Sequence, residues 1–522
     1  MRASKSVMTA VLTVILTAAP ASFSFGGGAA QPAAAQVDPV MKMELVRLSE
    51  LYNVLGQVAA KVWPNWTGWD KVPHLFEYPN NVRMLVGHPE PPPGFEPVAG
   101  LEVGGLEVCL DRKAERPVPM AWPTSGGGGP IPFGSAGEKP VTVVSIDLTS
   151  PPPGAKEEAQ GSGRVSDDQI LLYVHELFHV FQHDFYTIER HGNLRYNPDA
   201  NYAIYSEIEG EALRRAFLEK DDAAARELLK DFAVARKLKY RSMTLVEQVQ
   251  EKEEDFAEGT ARYAEYATLL EMKKSFHPRV TRKEDPAYSG FAGIDAQLAE
   301  RLADLTTQKG FTLESRMKCY QYGCFQALLL NRFSPGWQAT VPVRNQFLYD
   351  TILAVLKMDA AEEARVAGRL EDRYDLPALT ARHTPVVAAR DKAFAEFDAR
   401  KGKTYVVNFK PSREFVRAEP GPGQVHHLGL RNLYTQGIKR AAMFEILYEG
   451  TGEPVCAEQL FHVRYVDTAD RGYTVASSRS EGDIHYGAVI KTAGFTLKAP
   501  KVRVKEGGGR VKFIVLEKVA GR

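Results

Sequence analysis

The 522-residue chain has no excess of either charge, with 65 Lys and Arg against 65 Asp and Glu. Neither a basic nucleic-acid-binding face nor attraction to an anionic membrane is expected from that balance. Cysteine is scarce: Cys109, Cys319, Cys324 and Cys456 are all there are. Four in a chain this long are not a disulfide scaffold, and none has zinc-finger spacing. Past the N-terminus there is also no apolar run long enough to cross a membrane. The length excludes a single core and predicts about three units.

The beginning, Met1-Arg2-Ala3-Ser4-Lys5 followed by the apolar run 7–19, reads as a signal peptide with small-residue cleavage sites at Ala19-Pro20-Ala21 and at Ala33-Ala34-Ala35, the second preferred. An exported protein is therefore expected, with no transmembrane segment after its removal. Export makes the four cysteines candidates for disulfides, and Cys319 and Cys324 could close a small local loop. Residues 36–160 are rich in Pro and Gly, and Pro140–Asp147 reads as a strand. Residues 161–400 read as helical, broken near 191–200, 276–290 and 333–342. From 401 to 522, short strand-like runs at 404–409, 441–447, 459–466 and 511–516 predict a small β-sandwich.

The most informative segment is His175-Glu176-Leu177-Phe178-His179. On a helix, histidines four apart project from one face and can share one zinc ion, while Glu176 stands beside them as a base toward water. Ser166 and Gln169 form a capping box, and Asp167 and Asp168 put negative charge in the first turn. Ile170, Val174, Leu177 and Phe181 form an apolar stripe, widened by Leu171, Tyr173, Phe178 and Val180. His175, Glu176, His179, Gln182 and His183 gather in the opposite sector. A nearly all-round buried helix that collects its polar groups in one sector needs something there to satisfy them. His183 and His191 are read as surface groups or as supports of the site.

A site with two histidines needs a third protein ligand and an open position. Two segments of the form Glu-Gly-x-Ala offer one, Glu209-Gly210-Glu211-Ala212 and Glu258-Gly259-Thr260-Ala261-Arg262-Tyr263. HExxH followed by a helix reading E-G-x-A-x-Y resembles the gluzincin metallopeptidases, whose first Glu in that helix is the third zinc ligand. The resemblance covers about 170–270 and extends to 315–340. It implies Glu258 as the ligand, with small residues beside it to let its helix pack closely on the metal helix. Glu209 stays open as the alternative, since it lies on an apolar helix face and needs a partner there. The spacing from His179 to Glu258 (258 − 179 = 79 positions) is longer than in the simplest members. Family members often present a Tyr or His to the oxyanion of the intermediate. By that resemblance Tyr320 is the first candidate here and Tyr263 the second.

The fold class expected is α+β: a zincin-like, mainly helical catalytic domain between an N-terminal β-containing part and a C-terminal β-sandwich-like domain. The function expected is an exported zinc-dependent metallopeptidase of a secreted bacterial gluzincin-like group, acting on peptide or protein substrates. His175, His179 and Glu258 would hold Zn2+, and Glu176 and Tyr320 would be catalytic. Two other classes remain: an envelope protein that keeps the fold and zinc without turnover, and a zinc hydrolase of a non-peptide bond. The presence of Glu176, which an inert descendant would not need, favours catalysis.

Overall fold

The structure is a computed structural model; it describes residues 38–78, 82–111, 127–148, 165–183, 185, 199–303, 315–344, 347–409, 417–419, 424–428, 431–441, 444–449, 453–458 and 462–516. The expected signal peptide and His191 lie outside the described residues. The fold is mixed α+β, with one β-sheet toward each end of the chain and helices between. Among the described residues, no helix is long and apolar enough to cross a membrane. The chain divides into two compact units, one built from residues up to 56, 68–170 and 278–290, the other from 57–67, 171–277 and 291 onward.

The first unit holds most of the helix α1 (Pro39–Val62) and a six-stranded sheet. Its strands are β1 (His74–Glu77), β2 (Arg83–Val86), β3 (Phe95–Val103), β4 (Leu106–Asp111), β5 (Gly127–Ala136) and β6 (Lys139–Asp147), in the order β3-β4-β2-β1-β6-β5. Only β1 and β6 run parallel, with Phe76 opposite Ile146. Leu75 and Phe76 are both fully buried, so β1 lacks the alternation that would expose one face. The buried face of α1 carries Glu44, Arg47 and Glu50 among its leucines. Glu50 accepts the backbone N–H groups of Arg279 and Val280 and the Tyr288 hydroxyl, the last at 2.7 Å. Arg47 donates to Asp285 Oδ2 at 3.1 Å and to Ser166 Oγ at 3.0 Å. These bonds satisfy charges that would be costly to bury alone, and they hold the segment 278–290 on α1.

The helix α2 (Val165–Gln182) starts one residue before the expected Ser166. Its Ser166 hydroxyl is taken by Arg47, and its Asp167 carboxylate accepts from both the backbone and the hydroxyl of Ser289. The polar residues of that first turn thus serve tertiary bonds in place of the expected capping box.

In the second unit come α3 (Ala200–Leu218), α4 (Asp222–Lys239), α5 (Leu245–Ser275), α6 (Ile294–Ala303), α7 (Ser315–Phe333), α8 (Trp337–Arg344), α9 (Leu348–Leu356), α10 (Ala360–Arg373) and α11 (Leu376–Asp398). The expected break at 333–342 shrinks to Ser334-Pro335-Gly336, after which α8 begins. α5 opens on a capping box of Thr244 and Glu247. Asp255 and Glu258 therefore lie well inside the helix. Gly259 of α5 meets Gly323 of α7 with no room for a side chain: a Cβ on Gly259 would overlap the Cα of Gly323. The small residue after Glu258 thus serves the contact with α7, not the expected contact with the metal helix. Cys319 and Cys324 sit inside α7, buried and unbridged, and all four cysteines are free thiols. A helix holds positions five apart at a fixed distance and closes no local loop, so the expected candidate pairing is not formed.

The C-terminal strands form one continuous hydrogen-bonded sheet of thirteen strands, in place of two separate small sheets. Tyr405, Ile446, Val463, Leu497, Val502 and Phe513, from five different strands, converge on one buried cluster. The strand 496–507 and its partner 484–492 are the longest stretch of pairing, and neither is among the runs expected from the sequence. This sheet belongs to the same unit as the helices. Phe394 and Phe397 of α11 pack with Leu433, Cys456 and Val466, and Asp398 pairs with Arg431 and Arg464.

Candidate metal centre

The site is built on two helices. α2 is buried almost all round: Leu171, Val174, Leu177 and Phe178 are in the core, and Trp63 and Trp66 set their ring edges against Phe178. That packing turns the remaining sector, His175, Glu176, His179 and Gln182, toward α5. His175 and Glu176 are about 5% and 6% exposed, whereas His183 is on the surface.

Three ligand atoms converge. His175 Nε2 and His179 Nε2 are 3.0 Å apart, and Glu258 Oε2 lies 3.4 Å from the first and 3.3 Å from the second. Among the described residues, this is the group of His, Cys, Asp and Glu placed to share a metal ion. The opposite nitrogens are already engaged. His175 Nδ1 is 2.8 Å from Glu265 Oε1, and His179 Nδ1 is 2.7 Å from Gln182 Oε1. Both partners are acceptors, so in its neutral, metal-binding form each imidazole carries its proton on Nδ1 and turns the Nε2 lone pair inward. Two lone pairs and a carboxylate oxygen then face one another, and Glu258 Oε2 is buried without a hydrogen bond among the described residues. Such a triangle repels itself unless a cation sits in it. Ligands about 2.0–2.1 Å from a tetrahedral zinc are about 3.3–3.4 Å from each other, which matches the two edges to Glu258. The donor set, two imidazoles and one carboxylate, also suits zinc with one position open.

The electrostatics agree. Burial alone would lower the basicity of His175, but the carboxylates of Glu258 and Glu265, one beside each ring nitrogen, outweigh it and lift its pKa to about 10, so without a metal a proton takes the cation's place. Burial would raise Glu258, yet the two imidazoles hold its carboxyl well below the ordinary range. The pocket is thus a strong cation trap even before the nature of the cation is considered. Glu176 behaves in the opposite way, since burial pushes its pKa up, with the imidazoles opposing. A carboxyl so placed is more basic than one in water, as a general base should be.

Tyr320, from α7, lays its ring on that of His175, with centroids 5.7 Å apart and an angle of 20° between the planes. Tyr263 is elsewhere. It packs edge-on against Trp63 and Trp337, and its hydroxyl accepts from Asn331 and donates to the backbone of Val62. Glu209, the alternative third ligand, is fully buried in a cluster of charges, 3.1 Å from Arg236 Nη2 and 2.8 Å from Lys239 Nζ. The partner its burial demands is a pair of cations. Asp255 bonds the same Arg236, and Glu251 the same Lys239.

Sequence reasoning does not single out Glu265, Arg262, Thr260 or the role of Gln182. Arg262 pairs with the other oxygen of Glu265 at 2.6 Å and keeps that carboxylate charged behind His175. Their signal lies in helix periodicity: Glu265, Arg262 and Glu258 are spaced at three and four residues along one side of α5. Comparison of the chain with family models, curated proteins and solved structures gives no match.

Proposed function

We propose that this protein is an exported zinc-dependent metallopeptidase of the gluzincin type, with a zincin-like helical core. The observation that carries the reading is the triangle of His175 Nε2, His179 Nε2 and Glu258 Oε2, with both Nδ1 atoms occupied from outside and Glu176 beside it. His175, His179 and Glu258 would hold the ion. Zinc, when bound there, supplies Lewis acidity that makes water a nucleophile at neutral pH and polarises a peptide carbonyl. Glu176 takes the proton of the attacking water and returns it to the leaving amine, a task that its burial-raised basicity suits. Tyr320 is the side chain beside His175 whose hydroxyl can donate to the oxyanion that develops on the substrate. The substrate proposed is a peptide or protein, as the gluzincin resemblance implies.

The test is Glu176→Gln, which keeps the shape and removes the base. Zinc content should stay at about one per chain, as in the wild type, while chelator-sensitive cleavage of a mixed peptide library falls by about 10²–10⁴-fold or more. Cleavage that is unchanged in the variant rejects the base, and an absence of zinc from wild type loaded with the ion rejects the centre.

A further inference from the structure

Gln182 closes α2, three residues after His179, and its side chain is almost fully buried. Its Nε2 donates to the backbone carbonyl of Ala257 at 3.0 Å and to Thr260 Oγ1 at 2.5 Å. The Thr260 hydroxyl spends its own proton on the Phe256 carbonyl, 2.7 Å away. A backbone carbonyl only accepts, and a hydroxyl whose proton is committed only accepts as well. The nitrogen end of the amide is therefore pinned to α5. Its oxygen is left 2.7 Å from His179 Nδ1, where it too can only accept. A flipped amide would set a carbonyl oxygen against the oxygens of Ala257 and Thr260 and an NH2 group against an Nδ1–H.

We propose that Gln182 is a positioning residue of the metal centre: its amide reads the backbone of α5 and thereby holds His179 with a proton on Nδ1 and its Nε2 lone pair turned to the ion. The inference rests on the reading of His175, His179 and Glu258 as a metal site. Ala257 directly precedes Glu258, and Thr260 follows it by two. One side chain thus ties the second imidazole on α2 to the stretch of α5 that presents the carboxylate ligand. The two imidazoles are backed differently. Behind His175 stands the charged Glu265 with Arg262, whereas behind His179 stands a neutral amide that adds no negative charge to a centre already holding three carboxylates.

A merely structural Gln182 would fasten the end of α2 to α5 and nothing more. Two substitutions separate the roles. Gln182→Glu keeps an acceptor for His179 Nδ1–H but has no N–H for Ala257 or Thr260. Gln182→Met keeps length and offers neither. Zinc affinity, measured by chelator competition on the full chain, should fall about 10–100-fold in the Met variant and clearly less than tenfold in the Glu variant. The melting temperature of the metal-free protein should fall in both, because both lose the bonds to α5. Equal loss of zinc affinity in the two variants, or wild-type affinity in the Met variant, overturns the proposal while leaving the metal site standing. Wild type that takes up no zinc overturns the site and the proposal together. If the Met variant does not fold, the histidine ¹⁵N resonances of the metal-free wild type decide: the Nδ1–H tautomer at His179 is expected, and the Nε2–H tautomer overturns the proposal.

Discussion

Gly323→Ala sets two effects of opposite sign against each other. In a helix interior, Ala is better than Gly by up to about 1 kcal/mol, so the substitution should stabilise α7 by itself. The added Cβ, however, would overlap the Asp255 carbonyl oxygen and stand 2.7 Å from the Cα of Gly259. Both are backbone atoms of α5 that no rotamer change can remove, so the helices must part by about 1 Å or more. Overpacking of this kind costs about 1–3 kcal/mol, and more where backbone must move. The clash wins, and a net loss of at least about 2 kcal/mol is expected. Glu258 adjoins Gly259, and Tyr320 lies one turn from Gly323, so the same displacement should weaken zinc binding about tenfold or more. Gly368→Ala is the matched control. That glycine lies in α10, where an added Cβ would meet nothing within 4 Å, and it should show the gain of up to about 1 kcal/mol without the clash. Urea unfolding and chelator competition on both variants make the measurement. A Gly323→Ala protein as stable as the Gly368→Ala protein, with unchanged zinc affinity, would refute the α5–α7 contact on which the geometry of the site depends.

The two histidines and Glu176 are legible because their chemistry and their helical spacing coincide in five residues. The two Glu-Gly-x-Ala segments show where local reading stops. Both put a carboxylate on a buried face, and both need a partner; periodicity says which way a side chain points but not what it meets. Arg236 and Lys239 reach Glu209 from α4, twenty-seven and thirty residues on, and that long-range pairing has no local signature. Gly259 does mark a close approach of helices, but the helix it approaches is α7. The C-terminal sheet is only partly legible for a related reason. The run 441–447 straddles the end of one strand at Ala441 and the start of the next at Phe444, and residues 496–507 are rich in Lys, Arg and Glu on an exposed face, which masks their strand character. Ser166 and Asp167 look like helix-capping residues because their types suit that role, and a buried Arg47 competes for Ser166 from another element.

The buried charges and the docking of the sheet yield three more expectations. Glu209→Gln leaves Arg236 and Lys239 short of a counter-charge, so urea unfolding should show a loss of about 3–5 kcal/mol with zinc affinity unchanged; a selective loss of zinc would make Glu209 a ligand after all. Phe397→Ala empties the packing between α11 and the C-terminal sheet and should cost about 3–5 kcal/mol, read as a lowered denaturation midpoint; an unshifted midpoint would mean that the cluster contributes nothing to docking. The last prediction concerns acid. His74 is wholly buried between Tyr52 and Phe76, and burial lowers its pKa to about 4, with a backbone hydrogen bond at Val72 opposing only in part. Unfolded, it titrates near 6.5, so as pH falls the unfolded chain takes up the proton first. Stability from this group is intact above pH 6.5, declines between about 6.5 and 4, and is level below that, for a total of about 3 kcal/mol. In His74→Gln the imidazole is gone, so the difference in unfolding free energy between about pH 7.5 and about pH 4.5 should shrink by about 2–3 kcal/mol relative to wild type. An identical acid dependence in the two proteins would show that His74 is already charged, or already reached by water, in the folded state.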